Sequence, residues 1–374
     1  MTRNPAGDDP SFGRSALEGL VPYEPGKPVE EIQRELGLER VIKLASNEGP
    51  YGPFPAAQEA IARATSDLNR YPDGGAWRLR TALADRLGVR FEEVTVCAGA
   101  DAIVDYVSMA ALDPGDEVVM GWPSFASYAL DALKLAAVPV RVPLEEERID
   151  LDALLAAITP RTKLVFISAP NNPTGTTNTR AELDDYFERV PPHVLTVLDQ
   201  AYFEYLEEPD YPDGIAEYFL RGRRVLVLRT FSKIFGLAGL RVGYGVGPAD
   251  VITAIGKVRR AFDVATAGQE AALASLDDEA ELARRRAANR EAMAALQGVL
   301  REHGFEPAGP AVANFLFVRV PDAPALNDAL LRRGVIVRPM GSFGAPDALR
   351  ITAGTPDEIV FLDEALAALH APVA

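Results

Sequence analysis

The chain of 374 residues carries 38 basic and 54 acidic side chains, a formal net charge of −16, so a nucleic-acid backbone would be repelled rather than bound. With 48% hydrophobic and 25% charged residues the composition is that of a globular protein long enough for two packed domains, and no apolar run approaches the roughly 20 residues that cross a bilayer. The single cysteine, Cys97, excludes an intramolecular disulfide, and His193, His303 and His370 share no metal-ligand spacing, so no metal site is expected.

Along the chain, the polar segment Met1–Arg14 lacks the apolar stretch of a secretory signal, which makes the cytoplasm the expected location. The first 15 or so residues are expected to be mobile. Apolar runs bounded by turn residues follow at Val94–Cys97, Glu117–Met120, Lys163–Ile167, Val194–Leu198, Val225–Leu228 and Val242–Val246, and read as buried strands. Helical patterns such as Asp101–Ala111 and Leu151–Ile158 lie between them. Continuous rather than alternating hydrophobicity is what a mainly parallel sheet with helices on both faces requires, so the expected class is α/β. Beyond Pro248 comes a long Ala- and Arg-rich helical region, Ala249–His303, interrupted near Asp263–Thr266. A strand at Asn314–Val320, a helix at Pro324–Arg333 and short strands at Val335–Val337 and Leu349–Thr352 complete a smaller α+β unit. The expected division is an N-terminal arm packed on the small domain (residues 1–44), a large domain (45–265) and a small C-terminal domain (266–374). Arg221, Arg223 and Arg224 precede a strand, and Arg284, Arg285 and Arg286 read as the solvated face of a helix.

Four places along this frame carry chemistry. Gly99-Ala100-Asp101 stands between a strand and a helix, where backbone N–H groups make an anion site and glycine permits close approach. Ser168–Gly175 follows another strand, and Asn172, immediately before Pro173, is held extended. Asp199 ends a buried strand and points into the crevice where open α/β sheets bind ligands. Lys233 lies just beyond a further strand among apolar residues. Desolvation there lowers an amine pKa toward the neutral form that condenses with a carbonyl group. Thr230, Ser232 and Arg241 surround that lysine with two hydroxyls and a planar cation, the makings of a phosphate cup. Gly243–Gly247 lacks the spacing of a dinucleotide loop.

Asn171–Gly175, Asp199-Gln200-Ala201-Tyr202, Ser232-Lys233 and Leu237–Arg241, in this order, resemble the fold-type I aminotransferases of class I and II over roughly Val21–Thr355. The resemblance implies a seven-stranded, mainly parallel sheet and pyridoxal 5′-phosphate as cofactor. It implies that Lys233 carries the cofactor and moves protons, that Asp199 holds the pyridine nitrogen, and that Asn172 and Tyr202 face the phenolic oxygen. Ala100, Asp101, Thr230, Ser232 and Arg241 would hold the phosphate, with Phe125 stacked on the ring. Within that group, Pro22–Lys27, Lys43–Glu48, Asn69–Gly74, Val337–Pro339 and Leu349–Thr352 are most similar to histidinol-phosphate aminotransferases. That similarity implies substrate contacts from Tyr23, Asn47, Arg338 and Arg350. It also implies a homodimer in which Tyr71 reaches the other subunit's cofactor phosphate. The reaction implied is a two-stage transfer of an amino group from histidinol phosphate to 2-oxoglutarate, in histidine biosynthesis. Aromatic amino acid aminotransferases share most of these strings, and Gly121-Trp122 is reminiscent of them. A decarboxylase of the same fold and a non-catalytic module of this fold are further alternatives, the latter opposed by the intact lysine, aspartate and phosphate cup. Three positions depart from the usual pattern: Gly49 stands for asparagine, Gln200 for glutamate and Ala102 for an acidic residue.

Overall fold

Residues 225–230 read Val-Leu-Val-Leu-Arg-Thr, and their side chains divide by twos between two apolar clusters. Val225 and Val227 join one, Leu226 and Leu228 the other. That division is why the run is continuously hydrophobic: the strand is covered on both faces. The computed structural model describes residues 12–18, 20 and 26–370, so most of the expected mobile N-terminal stretch lies outside the described residues.

In chain order the structure begins with α1 (Val29–Leu36), β1 (Ile42–Lys43), α2 (Pro55–Ala64), α3 (Trp77–Leu87), β2 (Val94–Cys97) and α4 (Ala100–Ala111). It continues with β3 (Glu117–Trp122), α5 (Ala126–Lys134), β4 (Val138–Pro143), α6 (Leu151–Ala156), β5 (Thr162–Ser168) and α7 (Arg180–Arg189). Then come β6 (Leu195–Asp199), β7 (Val225–Thr230), β8 (Gly243–Val246), α8 (Ala249–Val258), α9 (Thr266–Ser275) and α10 (Glu279–Glu302). The last are β9 (Phe315–Arg319), α11 (Ala323–Leu331), β10 (Val335–Ile336), β11 (Arg338–Pro339), β12 (Ala348–Thr352) and α12 (Pro356–His370).

Seven strands form one sheet in the order β2-β8-β7-β6-β5-β3-β4, parallel except where β8 runs against β2 and β7. All six strands expected in this region are present, and β4 is the one the pattern does not announce. It is an edge strand whose Pro139 and Pro143 cannot donate to a ladder, and most of its side chains are exposed or half-buried. The helical region after Pro248 breaks twice, once as expected between α8 and α9 and again at Asp278, whose carboxylate caps α10 by accepting from Glu281 N. A second sheet, β11-β12-β9, and the short parallel pair β1-β10 lie over a separate apolar cluster that includes Leu44, Leu316, Leu349 and Leu362. Helix α10 spans both: Leu282 packs in the cluster of the large sheet, with Ala271 and Ala272 of α9, whereas Leu296 and Leu300 pack in the second.

Candidate active site

Parallel β5, β6 and β7 end side by side, and their carboxyl ends aim three chemically useful residues at one crevice. Asp199 closes β6 opposite Ser168 of β5, Thr230 closes β7, and Lys233 stands in the turn beyond it. A cleft of about 120 Å³ there is lined by Ala100, Asp101, Phe125, Ser168, Asn172, Asp199, Ala201, Tyr202, Thr230, Ser232, Lys233 and Arg241. Ten of these are residues that the sequence singles out.

One end of the cleft suits an anion. Helix α4 begins at Ala100 behind Gly99, whose φ of 89° belongs to the region that glycine favours. A Cβ on Gly99 would stand 2.7 Å from the Arg241 guanidinium, and one on Gly243 would stand 2.3 Å from Ala100 N. Backbone is therefore packed against this end as closely as it can be. Thr230 donates to Ser232 Oγ over 3.0 Å, and Arg241 donates to the same oxygen over 3.4 Å. Hydroxyls, helix-start N–H groups and a guanidinium thus converge.

The opposite end is a buried carboxylate. Asp199 accepts from Tyr128 Oη over 2.6 Å and from Ala201 N over 3.0 Å. Burial raises its pKa above the ordinary value, and the hydrogen bonds from Tyr128 and Ala201 pull it back toward the ionised form. Between the two ends, Lys233 Nζ lies 5.4 Å from the centre of the Tyr202 ring. Burial first, then the Arg350 charge, brings the lysine pKa down to about 8, so the neutral amine, nearly absent for an ordinary lysine, rises to about a tenth of the population at pH 7.

The wall facing the lysine comes from the second sheet and from residues 45–47. Tyr202 Oη accepts from Asn47 Nδ2 over 2.8 Å, and Asn47 is itself held by Thr352, which accepts from its N–H at 3.0 Å. Arg350 donates to Ala45 O over 2.8 Å and to Asn172 Oδ1. With its oxygen engaged, Asn172 presents its amide N–H groups as donors. Arg338 and Arg350 are direct partners across the antiparallel β11–β12 pair, both buried, with the Phe343 ring centre 5.8 Å from each guanidinium carbon.

Of the other expected site residues, Tyr71 is not in the cleft. It is 81% exposed and stacks on Phe262 at 4.6 Å. Tyr23 lies outside the described residues. Tyr128 escaped the sequence reading, although its spacing of three from Phe125 at the start of a helix places both side chains on one face. The arginine triplet needs correction. Arg284 is on the solvent side, but Arg285 is buried and Arg286 donates to Glu204 O. Three consecutive helix positions span about 200° of the circumference, so the three side chains cannot share one narrow solvated face. Of the three departures, Gln200 points away from the cleft and bonds Pro212 O at 2.9 Å and Gly214 N at 3.1 Å. Ala102 packs beside the cluster that includes Ile103, and a Cβ at Gly49 would stand 3.1 Å from Lys233 O.

The family model for aminotransferase class I and II matches residues 39–369. The chain belongs to that family. It is an aminotransferase dependent on pyridoxal 5′-phosphate, of the fold-type I architecture. Among curated relatives, this aminotransferase is 45% identical to histidinol-phosphate aminotransferase of Moorella thermoacetica over 91% of this chain and 89% of that protein. It is 44% identical to the same-named protein of Akkermansia muciniphila over 93% and 96%. Among solved structures it is similar to histidinol-phosphate aminotransferase from Sinorhizobium meliloti in complex with pyridoxal-5′-phosphate. The TM-score is 0.86, at 26% identity over 96% and 98% of the two chains. Aspartate aminotransferase from Thermus thermophilus with maleate has a TM-score of 0.82 at 26% identity, over 96% and 98%.

Proposed function

We propose that this aminotransferase transfers the amino group of L-histidinol phosphate to 2-oxoglutarate, giving imidazole acetol phosphate and L-glutamate for histidine biosynthesis. The supporting observation is the opposed pair Arg338 and Arg350. These two cations stand at directly opposed positions of a strand pair, an arrangement that would favour binding an anion with more than one negative charge. Histidinol phosphate brings a phosphate dianion, whereas a free amino acid brings one carboxylate, for which one arginine suffices. The curated relatives carrying the histidinol-phosphate name, at 44–45% identity, point the same way.

The residues present fit pyridoxal 5′-phosphate. Its phosphate matches the cup of Ala100, Asp101, Thr230, Ser232 and Arg241, with Asp101 offering its backbone N–H because its carboxylate would repel the ligand. Its ring nitrogen matches Asp199, its phenolic oxygen matches Asn172 and Tyr202, and its aldehyde matches Lys233, with Phe125 against the ring. When bound, the cofactor supplies an electron sink for the bonding pair released at the substrate Cα. Asp199, whose ionised form the hydrogen bond from Tyr128 favours, would hold the ring nitrogen protonated. Once freed by the amino donor, Lys233 would take the substrate Cα proton in its neutral form, which the lowered pKa makes more available, and would deliver it to the cofactor C4′ carbon two bonds from Cα. In the second half-reaction, Arg350 receives the carboxylate of the 2-oxo acid in a bidentate pair that lysine could not reproduce. Tyr23 and Asn47 complete the substrate surface in this reading. The enzyme is read as a cytoplasmic homodimer, in which the exposed Tyr71 would reach the partner's phosphate cup.

The test compares kcat/KM for histidinol phosphate, histidinol, phenylalanine and tyrosine in wild type and Arg338→Ala. Histidinol is expected to be worse than its phosphate by about 100-fold or more, with the gap shrinking in Arg338→Ala. Phenylalanine outperforming histidinol phosphate in the wild type moves the enzyme to the aromatic branch.

A further inference from the structure

Arg285 is a buried cation outside the cleft, on the turn of α10 that faces the lysine loop. Its Nη1 donates to Ile234 O over 3.0 Å, its Nη2 to Gly52 O over 2.6 Å and its Nε to Glu281 over 2.8 Å. Its guanidinium carbon lies 4.4 Å from the Phe54 ring centre, so the group is held by packing as well as by hydrogen bonds. The two carbonyls belong to segments that meet at the active site. Ile234 follows Lys233 directly. Gly52 ends the segment that begins with Asn47, the donor to Tyr202.

These segments touch one another. A Cβ on Gly236, at φ 70°, would stand 2.4 Å from Gly52 O and 2.9 Å from Arg285 Nη1, and one on Gly49 would stand 3.1 Å from Lys233 O. The guanidinium is therefore the fastener at a place where two backbones are already in contact. A planar fork can hold two carbonyls in different directions at once. A lysine ammonium on the same stem is a point charge with no such fork.

We propose that Arg285 is a positioning residue for Lys233: by fastening the carbonyls of Ile234 and Gly52 together it fixes where the lysine amine stands in the cleft. The inference rests on Lys233 as the point where the cofactor attaches. The charged groups bearing on that amine are Arg350, Glu48, Arg241 and Asp199. Arg285 acts on it through the backbone.

The experiment uses holoenzyme of wild type, Arg285→Lys, Arg285→Met and, as a control, Arg284→Met, which also loses a bond to Glu281 but holds neither carbonyl. Borohydride fixation and peptide mapping of the wild type come first. A pyridoxyl label anywhere but Lys233 removes the premise, and so separates failure of the site assignment from failure of the inference. With the label at Lys233, the pH midpoint of the bound cofactor's visible absorbance is measured with kcat and KM. Both Arg285 variants are expected to raise the midpoint by about half a unit or more, because a loosened turn admits water that favours the cationic form. Their kcat is expected to fall about tenfold with KM within about twofold, and Arg284→Met to match wild type. Full restoration by Arg285→Lys would mean that charge alone matters and overturns the proposal. So does an Arg285→Met enzyme that melts earlier yet keeps the wild-type midpoint and kcat. Arg285→Lys carries the test alone should Arg285→Met not fold.

Discussion

The phenol of Tyr128 donates to Oδ2 of Asp199 over 2.6 Å, with both side chains buried. Tyr128 is itself stacked on Phe166 at a centroid distance of 4.4 Å and an interplanar angle of 8°, so its hydroxyl has little freedom to point elsewhere. Burial and the neighbouring carboxylate push the tyrosine pKa well up, which keeps it a neutral donor at any pH where the enzyme works.

Tyr128→Phe is accordingly expected to raise the pKa of Asp199 further. The burial that already lifts it remains, while the hydrogen bond that lowers it is gone. The working form of Asp199 is ionised, so activity is present above its pKa and lost as pH falls through it. The acid limb of the kcat profile should therefore move to higher pH. At neutral pH kcat is expected to drop about tenfold, the size of one hydrogen bond to a charged group. A full pH profile of kcat checks both. An unmoved acid limb would show that Asp199 is kept ionised by something else.

Gly243→Ala should damage the anion end of the cleft without touching any polar side chain. The added Cβ would lie 2.3 Å from Ala100 N and 2.6 Å from Gly99 C, both backbone atoms of the helix start. Relief requires the α4 start to move away from Thr230 and Ser232. We expect a cofactor Kd weakened about tenfold or more and a stability loss of about 2 kcal/mol. Equilibrium dialysis and thermal melting of the cofactor-free protein measure the two separately, and Gly256→Ala, on α8 with open space around the site, provides the neutral comparison.

Tyr71 and Phe262 leave a stacked aromatic pair on the surface, 81% and 47% exposed. In a homodimer that pair would be covered and Tyr71 would serve the other subunit's site. Mixing Lys233→Ala with Tyr71→Ala, under conditions where subunits exchange, is expected to recover activity, because one site of each hybrid carries neither defect. Light scattering should give twice the chain mass. A fully active monomer at high dilution would refute the arrangement.

Short-range signals in the chain are enough for six of the seven strands of the large sheet and for most of the cleft. Val225–Leu228 is hydrophobic without interruption because both faces are covered, and that pattern survives any choice of neighbours. Asp199, Thr230 and Lys233 are legible because each lies within five residues of the end of such a run, and strand ends in a parallel sheet converge by topology. The edge strand Val138–Pro143 was not legible, since exposure and two prolines erase the hydrophobic signal that marks its neighbours.

What only the tertiary structure decided are the contacts between residues far apart in the chain. Asn47 reaches Tyr202 across 155 positions, Arg350 reaches Asn172 across 178, and Arg285 reaches Gly52 across 233. Local pattern determines what a segment becomes, because helix and strand periodicities are written within a few residues. It carries no term for which buried donor will meet which acceptor. The Arg284-Arg285-Arg286 triplet makes the difference plain: three like charges on a helix read as solvated from sequence, and packing against the lysine loop turned the middle one inward.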